Sequence, residues 1–195
     1  MINPYMIGTN VYLRHPSRAD AEGPWHEWLS DEETSRWLAQ RYWPNSVEGQ
    51  LEFYESCKRD KDRMVLSIVD VATDKHIGVC NLSSISWVHR YCDLAIVIGD
   101  KEYRKGPHVV EAVSLLLRVA FLRLNMRIVK STFAASNDAS KTIHDMFRFK
   151  EVGRLEGLIW DRGRYVDNVI AMLRREDWMR RNGIANDAAP QEGAN

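Results

Sequence analysis

The sequence predicts an α/β (α+β) fold: one domain built on a mixed, mostly antiparallel sheet flanked by helices. Three observations carry this expectation. Strand-like runs at Met64–Val71, His76–Leu82 and Tyr91–Ile98 follow one another with turns but no helices between them, which makes an antiparallel meander. A single long apolar helix, Val109–Leu124, then leads to a further strand, Met126–Ala134, as a crossover does. Last, runs at Lys150–Ile159 and Tyr165–Leu173 flank Trp160-Asp161-Arg162-Gly163-Arg164, a turn that closes a hairpin.

The remaining elements follow in order. Val11–Arg14 alternates and is β-prone, and Pro16 and Ser17 end it. Ala19–Leu29 reads as one helix with Trp25, Trp28 and Leu29 on one side. Ser30 or Asp31 caps a second short helix through Leu38, with Glu32 and Glu33 where the helix dipole favours acids. An aromatic loop, Arg41-Tyr42-Trp43-Pro44-Asn45, precedes a helix from Ser46 to about Lys58. Four of the seven tryptophans lie in this early region, where they can wall a ligand cleft or simply pack around short helices. Ser136-Asn137-Asp138 supplies capping chemistry for a helix over Asn137–Phe147. The domain is expected to span 1–178, and the Ala/Asn/Gly/Gln-rich tail 179–195 to be disordered.

Composition excludes several classes. Apolar residues make up 45% and charged residues 28%, an ordinary globular mix, and the formal net charge is zero. No overall field therefore draws the protein to nucleic acid or to an acidic membrane. The three cysteines have no C-x-x-C spacing and an odd count, which suits buried thiols in a reducing compartment. The N-terminus lacks a basic segment followed by an apolar run, and the longest apolar helix is interrupted by Glu111, Ser114 and Arg118. A soluble, cytoplasmic protein is expected. Histidines and cysteines show no metal-ligand spacing, so no metal is expected, and no nucleophile–base arrangement points to a covalent acyl-enzyme.

The chemistry concentrates between Asp93 and Leu124. The apolar strand Leu94–Ile98 closes on Gly99-Asp100, and the basic loop Lys101-Glu102-Tyr103-Arg104-Lys105-Gly106-Pro107-His108 leads into the long helix. The first amides of a helix lack intrahelical partners and the dipole adds positive charge there, so this is a device for holding an anion. A plain crossover with a solvated loop accounts for the same residues equally well.

Strings along the chain resemble the GCN5-related N-acetyltransferase (GNAT) superfamily. They are Ile98-Gly99-Asp100-Lys101-Glu102-Tyr103, Glu111-Ala112-Val113, Ala120-Phe121-Leu122-Arg123-Leu124-Asn125, Asn137 with Ser140, Phe149-Lys150-Glu151-Val152-Gly153-Arg154-Leu155 and Gly163-Arg164-Tyr165-Val166-Asp167. The last two look like the subgroup of ribosomal-protein N-terminal and amino-sugar acetyltransferases. The resemblance implies acetyl-CoA as cosubstrate and direct attack of a primary amine on the thioester. By resemblance, Ala95, Ile96 and Val97 face pantetheine, while Arg104, Lys105, Gly106, His108 and Val109 face pyrophosphate. Asn137 can cap its helix or bond the cosubstrate, and the two roles are compatible. His144 stands where many members have the tyrosine that protonates the CoA thiolate, and its unperturbed pKa near ~6.5 suits that work. Asp93 is the first candidate for general base and Asp167 the second.

The sequence also departs from the family loop. Pro107 and Val109 stand where glycine or a small residue lets backbone approach phosphate, so weakened cosubstrate binding is one expectation. The leading acceptor is the amine of a nucleotide-linked amino sugar, and a protein N-terminal amine is the alternative. Arg41 and Arg90 facing the cleft would suit a diphosphate, whereas acidic walls would suit a protein amine. A degenerate member that binds without turnover is the reading from another class. Analogy with the family implies a homodimer.

Overall fold

A computed structural model describes residues 1–185. Eight strands form one sheet in the order β1-β2-β3-β4-β5-β6-β8-β7. They are β1 (Pro4–Ile7), β2 (Val11–Arg14), β3 (Met64–Asp70), β4 (His76–Ser86), β5 (Tyr91–Ile98), β6 (Ile128–Ala134), β7 (Lys150–Asp161) and β8 (Arg164–Arg174). All neighbouring pairs are antiparallel except β5 and β6, which the crossover makes parallel. The helices are α1 (Arg18–Glu22), α2 (Trp25–Ser30), α3 (Glu32–Ser35), α4 (Val47–Cys57), α5 (Pro107–Arg118), α6 (Asp138–Phe147) and α7 (Arg175–Arg181).

The meander, the crossover and the closing hairpin stand where the sequence puts them. Differences have local causes. The helix expected over Ala19–Leu29 is two helices, because Gly23-Pro24 interrupts it and proline has no N–H to continue the ladder. The crossover helix widens into a π turn over Val119–Arg123 before β6. Strand β1 is added because Glu111 of α5 reaches the β1–β2 turn. Its carboxylate accepts from the amides of Thr9 (2.6 Å), Asn10 (2.6 Å) and Val11 (3.0 Å). Helix α7 carries ordered structure past Trp178 to Arg181, with Met179 buried. Of the tail expected to be disordered, 186–195 lie outside the described residues.

The two faces of the sheet are covered differently. On the rear face α5 lays Ala112, Val113, Leu115, Leu116 and Leu117 over Leu13, Leu66, Ile68, Leu82, Cys92 and Leu94, and all of these are buried. On the front face a smaller cluster joins Trp25 and Trp28 to Val65 and Val79. Beside it Asp20 of α1 is buried against Arg14, with contacts at 2.5 and 2.7 Å, and accepts from Ser67 Oγ at 3.0 Å. Burial by itself would raise the Asp20 carboxyl, but the Arg14 contact, the charge on His76 and the Ser17 amide pull it down to about 2. Trp28 lies so close over Gly99 that a Cβ there would sit 1.9 Å from the indole, which is why the strand must end on glycine. Cys80 and Cys92 are buried and Cys57 is half-buried; all three are free thiols.

Candidate active site

The site begins where β5 and β6 part. Their parallel register runs Tyr91↔Ile128, Cys92↔Val129, Asp93↔Lys130 and ends there. Among the described residues, Leu94–Ile98 pair only with β4, so the far edge of β5 offers its N–H and C=O groups to an added extended chain. Ala95 and Val97 point to the front face with Asp93. Ile96 points to the rear, where it packs on the main core. Ala95 is exposed, and Ile96 and Val97 are partly so.

Beyond this edge lies the start of α5. Gly106 precedes it with φ 108, no side chain caps it, and Pro107 takes the first helical position. A Cβ at Gly106 would meet nothing nearer than His108 Nδ1 at 4.0 Å. The positive φ therefore favours glycine, and the space in front of the amides of His108 and Val109 is open to an anion. Proline at this first position removes an N–H that the helix does not use, so it costs the site one donor and leaves the others. These groups fit a diphosphate. Lys105 is exposed beside them and belongs to no ion pair among the described residues.

Other loop side chains have different employment. Arg104 turns inward and donates to the carbonyls of Ile98 (3.1 Å) and Gly99 (3.2 Å), to Thr34 Oγ1 and to Glu33 (3.3 Å). It locks the loop to α3, and only its backbone faces the opening of the helix. His108 places Nε2 3.2 Å from Asp70 and its ring edge-on to Tyr103, so its contribution to an anion site is its amide. Val109 packs on the rear core and likewise offers its amide.

Asp93 stands at the fork, its carboxylate 3.1 Å from Lys130 Nζ and about one-third exposed. Next to it on the same face is a cavity of ≈ 150 Å³. Its floor is Ala95, Ile96, Val97, Val79, Val65 and Asn81; its walls are Trp25, Trp28, Leu29 and Phe53; Leu38 and Gln40 close one side. Asn81 lies directly across from Ala95 in the register, and its Oδ1 is buried with no hydrogen-bond partner. The segment carrying Leu38 and Gln40 is held by the tip of the closing hairpin. Arg36 pairs with the buried Asp161 at 2.9 Å, Arg41 donates to the carbonyl of Trp160, and the Tyr42 hydroxyl donates to the same oxygen at 2.9 Å.

His144 is elsewhere. It sits on α6, buried, with its ring 4.4 Å from that of Phe133 and 5.0 Å from that of Phe149. Phe133 lies on the sheet face opposite Lys130 and Asp93. The ring borders a second cavity of ≈ 130 Å³, with Lys141, Asp145, Glu151 and Arg154 at its margin, which shares no lining residue with the first. Burial lowers the His144 pKa, against a smaller opposing effect of the Ser140 carbonyl. Nδ1 lies 2.7 Å from that carbonyl, which assigns it the proton of the neutral ring. Nε2, buried without a partner, is then a proton acceptor at neutral pH. Asn137 caps α6 by accepting from the Ser140 amide at 3.1 Å. Asp167 is tied to the Gly157 amide (3.0 Å) and Arg154 (3.3 Å) on the closing hairpin, away from the fork.

The structure thus sets Asp93, Ala95, Ile96 and Val97 along the β5 edge, with the amides of Gly106, His108 and Val109 at the start of α5, His144 beside its own cavity on the β6 side and Asp167 on the closing hairpin. Sequence reasoning missed Asn81, Gln40, Leu38 and the Arg36–Asp161 pair. A polar residue inside the apolar run Val79-Cys80-Asn81-Leu82 was a signal for Asn81; nothing local marks an ion pair 125 residues apart. Among the described residues no cluster of His, Cys, Asp or Glu could hold a metal ion, and no helix is long and apolar enough to cross a membrane.

A sequence model of the acetyltransferase (GNAT) domain matches residues 10–150, most of the chain. The chain belongs to the GNAT acetyltransferases. With membership come acetyl transfer as the class of chemistry and acetyl-CoA as the acyl donor, as the sequence led us to expect. A curated relative, the uncharacterized N-acetyltransferase YokL of the SPbeta prophage of Bacillus subtilis (strain 168), is 28% identical over 81 residues. That match covers 42% of this chain and 46% of the relative, so the chain spans about half the length of the relative it matches. Solved structures share the GNAT fold at lower identity. A Vibrio cholerae spermidine N-acetyltransferase in complex with CoA and spermine has a TM-score of 0.80 at 20% identity, covering 88% of this chain and 99% of that one. A GNAT-family acetyltransferase from Bacillus anthracis has a TM-score of 0.75 at 14% identity, covering 88% and 98%.

Proposed function

We propose that this GNAT protein transfers the acetyl group of acetyl-CoA to a primary amine that enters the front-face cavity. The observation that carries the reading is the juxtaposition of two features. The unpaired edge of β5 runs through Ala95–Val97, and the same three residues floor the cavity. A donor laid along the edge is then in contact with an acceptor in the cavity. When bound, acetyl-CoA supplies the activated carbonyl carbon, and the protein's residues bind, orient and move protons. The β5 edge takes pantetheine as an added strand, and the amides of Gly106, His108 and Val109 with Lys105 take the diphosphate. Asp93, held by Lys130, accepts the proton that the attacking amine gives up, through one water. At the thiolate end His144 acts as a relay rather than a resting acid, since its Nε2 must first take up a proton before passing one on.

The finer acceptor readings differ in support. A nucleotide-linked amino sugar would need cations at the cleft. Arg41 is held by the carbonyls of Arg36 and Trp160, and Arg90 by Asn125, at 2.8 Å to its carbonyl and 2.6 Å to Oδ1. A protein N-terminus would suit acidic walls, and the cavity has none. A compact amine fits better. The homodimer of the family would use the open edge of β7, where Val152, Leu155, Leu158 and Trp160 are exposed; one species at monomer mass in light scattering rejects it.

Calorimetric titration of acetyl-CoA tests the donor half. Saturable binding is expected, and Gly106→Val should weaken it at least about tenfold by straining the positive φ and filling the phosphate space. No binding at millimolar concentration sinks the enzyme reading. His144→Phe should lower kcat and flatten its alkaline limb; an unchanged pH profile removes His144 from the mechanism.

A further inference from the structure

We infer that the acceptor is an arylalkylamine, a primary amine on a short chain from one aromatic ring, and that Asn81 receives its nitrogen. The inference rests on the acetyl-transfer reading above and goes further in naming the acceptor and a residue that orients it.

Size comes first. A cavity near 150 Å³ holds about one six-membered ring with a short tail. A nucleotide sugar is several times larger than this. Wall chemistry comes second. Trp25, Trp28, Phe53 and Leu29 make an apolar enclosure in which a ring can stack, and no Asp, Glu, Lys or Arg lines it. A polycation entering such a space would bring ammonium groups with no carboxylate to meet them. Of the acids on the neighbouring helix, Asp31 and Glu33 are already engaged with Lys101 at 3.1 Å each, and Glu33 with Arg104 at 3.3 Å.

The third observation is the unpaired amide. Asn81 Oδ1 is buried without a partner, and a polar atom left so is costly unless a ligand satisfies it. Asn81 faces Ala95 across the β4–β5 register, so its side chain lies about 5 Å from that of the donor strand. A ring set against the wall of Trp25, Trp28 and Phe53 directs its chain towards this point. The amine nitrogen can then give one N–H to Oδ1 while its lone pair faces the donor edge. Asp93 lies two residues back on the same face, about 7 Å along the strand, which one bridging water can span. In the reaction the N–C bond to the acetyl carbonyl forms, the C–S bond breaks, the ammonium proton leaves towards Asp93, and the sulfur departs as thiolate. Asn81 is a binding and orienting group throughout and takes no proton.

The test uses the full chain with saturating acetyl-CoA and follows release of the CoA thiol. The acceptors are 2-phenylethylamine, spermidine, glucosamine and a tripeptide beginning with phenylalanine. The expected result is a kcat/KM for 2-phenylethylamine at least about 100-fold above the others. Asn81→Leu should cut that value about 10- to 100-fold with acetyl-CoA affinity unchanged, and Asn81→Asp, which keeps an acceptor oxygen, should restore most of it. A higher kcat/KM for spermidine, glucosamine or the peptide overturns the acceptor class while acetyl transfer stands. Equal activity of Asn81→Leu overturns the role of Asn81. Binding of acetyl-CoA without turnover of any amine overturns the inference and leaves the donor site standing; failure to bind acetyl-CoA overturns both.

Discussion

The two faces of the sheet solve opposite problems. Behind it, α5 fills the space completely: Leu116, Leu117, Phe121, Leu13 and Ile68 are all 0% exposed. In front, two short helices interrupted at Gly23-Pro24 cover the same strands with aromatic rings, a buried Arg14–Asp20 pair and the ring of His76. Short helices cannot interdigitate as a long one does, and large flat rings leave gaps where aliphatic chains would close them. The rear face supplies stability and the front face supplies room. A GNAT site needs both, since the strand edge must stay rigid while an acceptor comes and goes beside it.

The largest effect should follow from a cavity opened behind the sheet. Leu116→Ala should cost about 3 kcal/mol or more and lower the melting temperature by many degrees, because the close-packed face cannot collapse around the loss. Phe53→Leu on the cavity wall should cost markedly less and alter acceptor KM instead. Equal losses of stability at the two positions would erase the contrast between the faces.

Acid should weaken the front face and the His144 pocket next. Burial holds the pKa values of His76 and His144 below the ordinary 6.5, with Asp20 opposing the shift at His76. The unfolded chain therefore takes up protons first, and stability declines as pH falls below about 6.5. Asp20 behaves in the same direction at lower pH. Its folded value of about 2 lies below the unfolded one, so its contribution is complete above about pH 4. That contribution, about 2 kcal/mol, is lost as pH falls towards 2. Denaturant melts across this range should show the lower step vanish in Asp20→Asn; a step of unchanged size would assign it to other carboxylates.

The smallest effect is expected where hairpin and cavity meet. Arg36→Gln removes the partner of Asp161 and loosens the segment bearing Leu38 and Gln40. Acceptor KM should rise severalfold with little change in melting temperature or in acetyl-CoA affinity. A change in acetyl-CoA affinity of the same size would mean that the segment serves the donor instead.

Much of this was legible along the chain. Polar turns at Thr73-Asp74-Lys75 and around Gly163 marked the antiparallel pairs, and Asn137 and Ser46 marked helix starts that the structure places within one residue. The anion-holding start of α5 was visible because its parts are consecutive: Lys105, Gly106 and the following amides. Side-chain employment was not visible. Arg104 and His108 look like anion ligands in sequence, and both side chains turn instead to partners brought in from far away, Thr34 and Asp70. His144 looks like an acid, yet its position between Phe133 and Phe149 makes its free nitrogen an acceptor.

Periodicity, turn chemistry and capping are local, so the sequence alone determined the order of strands and helices, the single crossover and the helix end that can face a diphosphate. Where β5 leaves β6, how deep the aromatic cavity is and which amide it leaves unpaired depend on contacts between distant segments. Tertiary structure decided those, because the fork at Asp93↔Lys130 exists only once β6 has paired with β5, and the orphaned Oδ1 of Asn81 only once the α1–α4 segment has packed across the meander.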